Sequence, residues 1–208
     1  MSYAVKEIFL TLQGEGMQAG RRAVFLRFAG CNLWSGREQD RASAQCRFCD
    51  TDFVGTDGHN GGRYEAGELA ARVRALWASG ERPLVVVTGG EPLLQLDATL
   101  IDALHEAGFE IAVESNGTLP APAGLDWLCV SPKAGTELAQ RSGDELKLVW
   151  PQEGIDPEAL LGLDFRHFLI QPMDCADADG ARAAAIAYVM EHPRWRLSLQ
   201  THKLLGLA

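Results

Sequence analysis

The sequence predicts an α/β protein built on a mostly parallel sheet, either open or closed into a partial barrel. Apolar, β-rich runs alternate with amphipathic helical patterns along the chain, a spacing typical of βα units. One run, Leu84-Val85-Val86-Val87, is continuously apolar, as expected for a parallel strand covered on both faces. Polar or glycine-rich motifs follow several of the runs, at the strand ends where parallel sheets bind ligands.

Seven strands are predicted from the apolar runs. They cover residues 23–28, 84–88, 110–115, 127–131, 146–150, 167–171 and 196–200. Three helices are predicted between them, over 65–79, 97–107 and 177–192. The first has an apolar stripe and ends at Gly80, the second begins at the N-cap residue Asp97 and ends at Gly108, and the third ends before Pro193.

Composition limits the possible functions. The 208 residues suffice for one packed domain, 1–208, and the net charge of −9 disfavours a surface for nucleic acid. No apolar stretch approaches the roughly 18 residues of a membrane span. The first residues also lack the basic and apolar segments of a secretory signal, so we expect a cytoplasmic protein.

Three of the five cysteines are spaced like metal ligands. Cys31, Cys46 and Cys49 form a C-x14-C-x2-C pattern, and the last two lie about one turn apart, close enough to bind one metal centre. A zinc site would need a fourth ligand, for which His59 is the nearest candidate. Three cysteines without an obvious fourth favour an iron–sulfur cluster with one open iron, and zinc remains the alternative.

The remaining cysteines and the segment inside the pattern receive simpler interpretations. Cys129 lies in an apolar run and is predicted to be a buried core residue. Cys175 has no partner at ligand spacing and is left unassigned. Residues 32–45 are polar, and we expect an insertion that folds beside the metal centre.

Polar motifs after the predicted strands indicate a shared active site. Each motif alone is more often a turn, but several of them beside a metal-type cysteine loop favour a common ligand site. The motifs are Gly89-Gly90-Glu91-Pro92, Glu114-Ser115-Asn116-Gly117, Ser131-Pro132-Lys133 and Gln171-Pro172-Met173-Asp174.

The combination resembles the radical S-adenosylmethionine (SAM) superfamily, in which three cysteines and a glycine-rich motif follow the first two strands. The usual C-x3-C-x2-C spacing is lengthened here by eleven residues. This insertion, together with Leu12-Gln13-Gly14-Glu15-Gly16, Cys49-Asp50-Thr51 and Ser131-Pro132-Lys133, is typical of one branch of the superfamily. From residue 5 onward the chain resembles that branch, the 7-carboxy-7-deazaguanine synthase family. The resemblance implies a shortened, partial (β/α) barrel of the radical SAM type.

The resemblance also implies the chemistry. Cys31, Cys46 and Cys49 would hold a 4Fe–4S cluster, with SAM on the open iron, and the substrate would be 6-carboxy-5,6,7,8-tetrahydropterin. Hydrogen abstraction by a 5′-deoxyadenosyl radical would lead to ring contraction and loss of ammonia. The alternatives are another small radical SAM enzyme, such as a glycyl-radical activase, and a zinc-stabilised binding or regulatory module.

Residue roles follow from the same resemblance. For SAM it implies Phe48, Asp50, Gly89, Gly90, Glu91, Ser115, Ser131, Pro132, Lys133, Gln171, Pro172, Met173 and Asp174. For the pterin it implies Leu12, Gln13, Gly14, Arg27, Thr88, His202 and Ala208. Thr51 would bind Mg²⁺, whose preference for oxygen ligands suits a hydroxyl. A homodimer and an electron donor of the flavodoxin or ferredoxin type are further expectations.

Overall fold

The structure is a computed structural model that describes residues 2–207, in which nine strands form one sheet in the order β3-β1-β2-β4-β5-β6-β7-β8-β9. The strands are β1 (Tyr3–Leu12), β2 (Arg22–Phe28), β3 (Gly62–Tyr64), β4 (Leu84–Gly89), β5 (Glu110–Ser115), β6 (Trp127–Val130), β7 (Ser142–Trp150), β8 (Asp164–Pro172) and β9 (Trp195–Leu197). The helices are α1 (Ala66–Trp77), α2 (Ala98–Glu106), α3 (Pro157–Leu160), α4 (Ala178–Glu191) and α5 (Thr201–Leu205). Within this part of the chain, no helix is both long and apolar enough to cross a membrane.

The sheet is parallel from β2 to β9. Every neighbouring pair from β2–β4 to β8–β9 runs parallel, whereas β1 pairs antiparallel with both β2 and β3. The order of strands leaves β3 and β9 as free edges, so the sheet does not close. The predicted α/β class and partial barrel are therefore confirmed.

The strand β1 was not predicted. Its sequence places Lys6 and Glu7 next to each other within an apolar segment, and a bulge between Val5 and Glu7 interrupts the alternation. Lys6 is nevertheless buried, because its ammonium group donates hydrogen bonds to the Val54 carbonyl and to Asp57, both at 2.9 Å. The charge of Lys6, which interrupts the apolar pattern of the strand in the sequence, is thus paired with residues about fifty positions away in the chain.

The last predicted strand was too long. Residues 196–200 were expected to be extended, but β9 ends at Leu197 and the short helix α5 begins at Thr201. The short helix α3, capped by Asp156, was also missed. Helices of one turn have little periodicity, so the sequence offers almost no signal for them.

The main hydrophobic core lies between the sheet and the helices α1, α2 and α4. Leu69, Val73 and Trp77 of α1 and Leu100 and Leu104 of α2 pack on the alternate strand residues that face them. Each such fully buried side chain contributes about 1.5–3 kcal/mol. The facing strand residues are Val24, Leu26, Val85, Val87, Ile111, Val113, Leu146 and Leu148. The opposite face of the sheet has only a small apolar cluster, which leaves its carboxyl end open to a cavity.

Candidate active site

A cavity of about 400 Å³ lies at the carboxyl ends of the parallel strands. All the strand-end motifs contribute to its lining, because parallel strands end at the same side of the sheet. The contributing residues are Cys31, Cys46 and Cys49 after β2, Gly89 and Gly90 at β4, Ser115 and Asn116 at β5, Ser131 and Lys133 after β6, and Gln171, Pro172 and Asp174 at β8. The structure thus brings together the motifs that the sequence analysis selected.

The three cysteines of the metal-type pattern line this cavity together. The backbone N–H of Leu33 donates to Cys31 Sγ at 3.4 Å, and the N–H of Phe48 donates to Cys46. Burial raises the pKa of the Cys31 and Cys46 thiols, and for Cys46 the nearby Lys133 ammonium partly offsets this effect. N–H donors directed at sulfur suit thiolates that ligate an iron–sulfur cluster.

The zinc alternative named His59 as the nearest candidate for a fourth ligand. Among residues 2–207, no three His, Cys, Asp or Glu side chains converge on a single-ion site. His59 lies away from the cavity lining, and its carbonyl accepts a hydrogen bond from Ile8 N at 2.8 Å.

The two glycines after β4 allow this strand to approach the cysteine loop. A Cβ on Gly89 would lie 2.5 Å from the Phe28 carbonyl oxygen, and one on Gly90 would lie 2.7 Å from Cys31 Cβ. The Glu91 N–H then donates to the Gly30 carbonyl at 2.9 Å. Close packing within the protein therefore requires glycine at both positions.

The Glu91 side chain points into the protein. Its carboxylate is fully buried and accepts hydrogen bonds from Ser115 Oγ and Asn116 N at 2.8 Å and from Leu93 N at 2.9 Å. Burial raises the pKa of Glu91, and these hydrogen bonds offset part of the rise. Glu91 therefore ties two strand-end motifs together without lining the cavity. Pro132 and Met173 also lie outside the lining, so their contact roles remain predictions.

Lys133 and the residues after Cys46 form one side of the cavity. The ammonium group of the half-buried Lys133 donates to the Ser131 carbonyl at 2.6 Å and to Ser131 Oγ at 2.8 Å, and it lies 5.8 Å from the Phe48 ring centre. Burial lowers the pKa of Lys133, and the nearby Cys46 thiol opposes this effect. Asp50 and Thr51 also line the cavity, and their assignments to SAM and Mg²⁺ stay predictions.

Five of the seven residues assigned to the pterin line the cavity. Leu12, Gln13, Arg27, Thr88 and His202 all belong to the lining. Arg27 lies opposite Thr88 in the parallel register of β2 and β4, and its Nε donates to Glu7 Oε1 at 2.8 Å. Ala208, the remaining residue predicted to contact the pterin, lies outside the described residues.

Gly14 supports the chain terminus and does not itself line the cavity. Its carbonyl accepts hydrogen bonds from the N–H and the hydroxyl of Thr201, both at 2.9 Å. A Cβ at Gly14 would overlap the His202 ring and lie 2.8 Å from the His202 backbone nitrogen. Glycine at this position therefore lets α5 dock beside the cavity.

Lys203 connects α5 to two loops at the cavity. Its ammonium group donates to Asp50 and, at 2.5 Å, to Asp174. Burial alone would lower the pKa of Lys203, but these hydrogen bonds outweigh it and the pKa is raised. The two carboxylates come from segments more than 120 residues apart, so a sequence reading could not connect them.

The lining residue Lys147 was missed, and its partners Glu15 and Glu114 were named only as members of motifs, without a role. Lys147 in β7 donates to Glu15 and lies 3.5 Å from Glu114 Oε2, and Gln13 Nε2 donates to Glu114 Oε1 at 2.8 Å. Burial would raise the pKa of Glu15, but Lys147 and two glutamine side chains hold it near 2, so the carboxylate is ionised. Charged residues alternating with leucine in 145–148 resemble a half-exposed strand, which concealed their burial.

The chain has close relatives of known name. Residues 39–147 match the sequence pattern of the Radical SAM superfamily. Proteins named 7-carboxy-7-deazaguanine synthase are 65% identical in Caulobacter vibrioides and 58% identical in Bordetella pertussis, in each case over 100% of both chains. A relative of the same name from Bacteroides thetaiotaomicron is 41% identical, again over the full length of both.

A solved structure agrees with these relatives. The crystal structure of QueE from Escherichia coli superposes with a TM-score of 0.72 at 27% identity, covering 96% of this chain and 94% of that one. Radical SAM enzymes use a 4Fe–4S cluster and SAM, act on a further substrate and require a reductant. The chain belongs to the 7-carboxy-7-deazaguanine synthase family of the radical SAM superfamily.

Proposed function

We propose that this protein converts 6-carboxy-5,6,7,8-tetrahydropterin to 7-carboxy-7-deazaguanine with loss of ammonia. The observation that carries the proposal is the cavity in which three cysteines, four strand-end motifs and the residues after β1 meet. The full-length relatives named for this product support the choice of reaction within the superfamily.

Cys31, Cys46 and Cys49 would hold the cluster. When bound, the cluster and SAM supply a 5′-deoxyadenosyl radical that can abstract a hydrogen atom from the substrate. The backbone donor at Cys31 stabilises charge on that sulfur, and the Gly89–Gly90 turn keeps β4 packed against the cysteine loop. These contacts fix the thiols relative to the strand ends.

The residues assigned to SAM have complementary chemistry on one side of the cavity. Gly90, Ser115, Ser131 and Gln171 offer backbone and side-chain hydrogen-bonding groups, and Phe48 offers an aromatic surface for an adenine ring. Lys133 brings a half-buried cation that suits a carboxylate. The hydrogen bonds of Glu91 with Ser115 and Asn116 hold this side rigid.

The pterin would lie between two ends of opposite character. Arg27 offers a guanidinium group for the substrate carboxylate, while Gln13 and Glu114 offer acceptors for the N–H groups of the pterin ring. His202 and Thr88 line the space between the two ligands. A ligand with a carboxylate at one end and N–H donors at the other would thereby be oriented.

Thr51 is proposed to bind a Mg²⁺ ion together with substrate oxygens. Its position in the cavity lining, next to Asp50, supports this assignment. Mg²⁺ keeps several waters and substrate oxygens as ligands, so one hydroxyl from the protein is a sufficient contribution. The ion would neutralise charge on the substrate carboxylate.

Two partners complete the proposal. A small one-electron carrier of the flavodoxin or ferredoxin type would serve as reductant. A homodimer would cover apolar side chains that the described chain exposes, such as Met190 at 79%, Leu204 at 66% and Leu205 at 65%. Sedimentation of the cluster-loaded protein would measure its oligomeric state, and a monomer at micromolar concentration would contradict the dimer.

Anaerobic turnover tests the proposed reaction directly. Reconstituted protein, SAM, a reductant and the carboxy-tetrahydropterin are expected to give one deazaguanine product and one ammonia per substrate consumed. Omission of SAM or of the pterin should abolish product formation. Cleavage of SAM without formation of the deazaguanine would keep the superfamily and refute this substrate.

A further inference from the structure

Lys147 is a charged residue buried in the middle of β7. It is 3% exposed, lines the cavity and is enclosed by Glu15 and Glu114. Burying an ion pair costs several kcal/mol in desolvation, which the mutual attraction of the two charges repays only in part. The adjacent Leu146 and Leu148 show that β7 is stabilised by apolar packing on its other face. Stability alone therefore does not account for a lysine at this position.

Glu15 connects Lys147 to the end of the chain. One carboxylate oxygen of Glu15 accepts the Lys147 hydrogen bond, and the other accepts from Gln200 Nε2 at 2.9 Å. The N–H of Glu15 also donates to Gln13 Oε1 at 3.0 Å, and Gln13 in turn donates to Glu114. Lys147 thus belongs to a closed ring with Glu114, Gln13 and Glu15, the last two from the loop after β1. Gln200, the residue that precedes α5, is joined to this ring through Glu15.

The segment 200–207 depends on such contacts for its position. The helix α5 has five residues, too few to be stable by itself, and its Leu204 and Leu205 are exposed. Thr201 donates two hydrogen bonds to the carbonyl of Gly14, the neighbour of Glu15, so the position of the segment 200–207 depends on the loop 13–16. His202 of this segment lines the cavity.

We propose that Lys147 is a positioning residue, which through Glu15 and Gln200 fixes the segment 200–207 and its His202 over the pterin side of the cavity. The proposal rests on the proposed function only for the identity of the ligand. Removing the ammonium group leaves the Glu15 carboxylate buried without its cation, and the loop 13–16 must move to hydrate it. The segment 200–207 then loses its Gln200 contact.

Hydrogen exchange of the ligand-free protein tests the structural part. In Lys147→Met, amides of the segment 200–207 are expected to exchange at least about tenfold faster, whereas those of β4 keep their protection. The double variant Lys147→Met, Glu15→Gln should recover much of the protection, because the glutamine oxygen still accepts from Gln200 and carries no charge. Unchanged exchange of 200–207 in Lys147→Met would overturn the proposal, as would a double variant no better than the single one.

Lys6 provides a matched control, since it is another buried lysine paired with carboxylates. Its partners Asp52 and Asp57 lie in the loop after the cysteines. Lys6→Met should speed exchange in residues 52–58 and leave 200–207 protected. Faster exchange in both regions would mean that the loss of any buried lysine loosens the segment 200–207. The specific link from Lys147 to this segment would then be refuted.

Two further measurements keep the test decisive. Gln200→Ala cuts the same link without burying a charge, so it replaces Lys147→Met if that variant does not fold, and unchanged exchange of 200–207 would overturn the proposal.

In turnover, Lys147→Met should raise the pterin KM about tenfold while kcat and the visible cluster spectrum change little. An unchanged KM in an active enzyme overturns the positioning role. If the wild-type protein does not convert the pterin but the exchange results hold, the proposed function fails and the link stands.

Discussion

The two faces of β7 are built on opposite principles. Leu146 and Leu148 point to the helices and are fully buried in the main core, whereas Glu145 and Lys147 point to the cavity side and are equally inaccessible to water. Burial raises the pKa of Glu145, and the Met17 N–H and the Lys147 ammonium group offset only part of this rise. One strand therefore has an apolar face that favours folding and a charged face that opposes it.

The difference indicates where the sheet is shaped by function. A buried carboxylate must be compensated, and Glu145 receives a 2.7 Å hydrogen bond from Met17 N, in the turn after Gly14. Gly16 fits this turn because its φ is +66° and a Cβ there would overlap the Glu145 carboxylate. The charged face thus dictates the conformation of the loop that carries the pterin motif. Changes on the two faces should accordingly have separable effects.

The largest effect is expected at the cysteines. Cys31→Ala, Cys46→Ala or Cys49→Ala should each abolish cluster binding and turnover, because a cluster held by two thiolates loses its anchor. Iron and sulfide content and the visible spectrum after anaerobic reconstitution measure the loss. Cys129→Ala is the control, because this thiol also lines the cavity but belongs to β6 and not to the cysteine loop, and the variant should retain the cluster. A fully active Cys46→Ala variant would contradict the ligand assignment.

On the apolar face, Leu146→Ala should lower the free energy of unfolding by about 2–5 kcal/mol, the usual range for a leucine removed from a packed core. Urea titration of this variant and the wild type measures the difference. The pterin KM of the folded fraction should stay unchanged. A raised KM with unchanged stability would show that the two faces of β7 cannot be separated in this way.

The sequence predicted the elements whose local pattern agrees with their environment. The continuous apolar run of β4 and the glycine motif after it were identified, because burial on both faces and a close backbone approach leave signs in neighbouring residues. β1 and the charged ring around Lys147 were missed, because Lys6 and Lys147 are paired with residues 51 and 132 positions away. Such pairing depends on the folded sheet, and the hydrophobic periodicity of a single sequence does not indicate it.

The site was predicted in the same uneven way. The three cysteines, Arg27 and at least two residues of each strand-end motif line the cavity, while Gly14, Glu91, Pro132 and Met173 do not. Gly14 and Glu91 are structural supports that bind neighbouring segments, Thr201 in one case and Ser115 in the other. A motif identifies a place in the fold, and which of its atoms face the ligand depends on packing that the motif does not contain.

A smaller effect is expected at Arg27, on the cavity side of β2. Arg27→Ala should raise the pterin KM about tenfold to a hundredfold, since a substrate carboxylate would lose its charged partner. The side chain is 18% exposed, so water compensates part of the loss and the effect stays below that of a fully buried pair. Arg27→Lys should fall between the two, because a lysine keeps the charge and loses the two-pronged geometry. Equal KM values for all three proteins would move the carboxylate site elsewhere.

The smallest effect is expected at Thr51, where the protein contributes one hydroxyl to a proposed ion. Thr51→Ala should leave the cluster spectrum and the free energy of unfolding unchanged, because among residues 2–207 the Thr51 hydroxyl makes only one long contact, at 3.5 Å to Asp50. Turnover should need several-fold more Mg²⁺, since water can replace the hydroxyl as a ligand at a modest loss of affinity. Thr51→Ser retains the hydroxyl and should behave like the wild type. Titration of turnover with Mg²⁺ after treatment with a chelator compares the three proteins. If all three show the same Mg²⁺ dependence, the ion binds elsewhere in the cavity and Thr51 is only a turn residue after the cysteine loop.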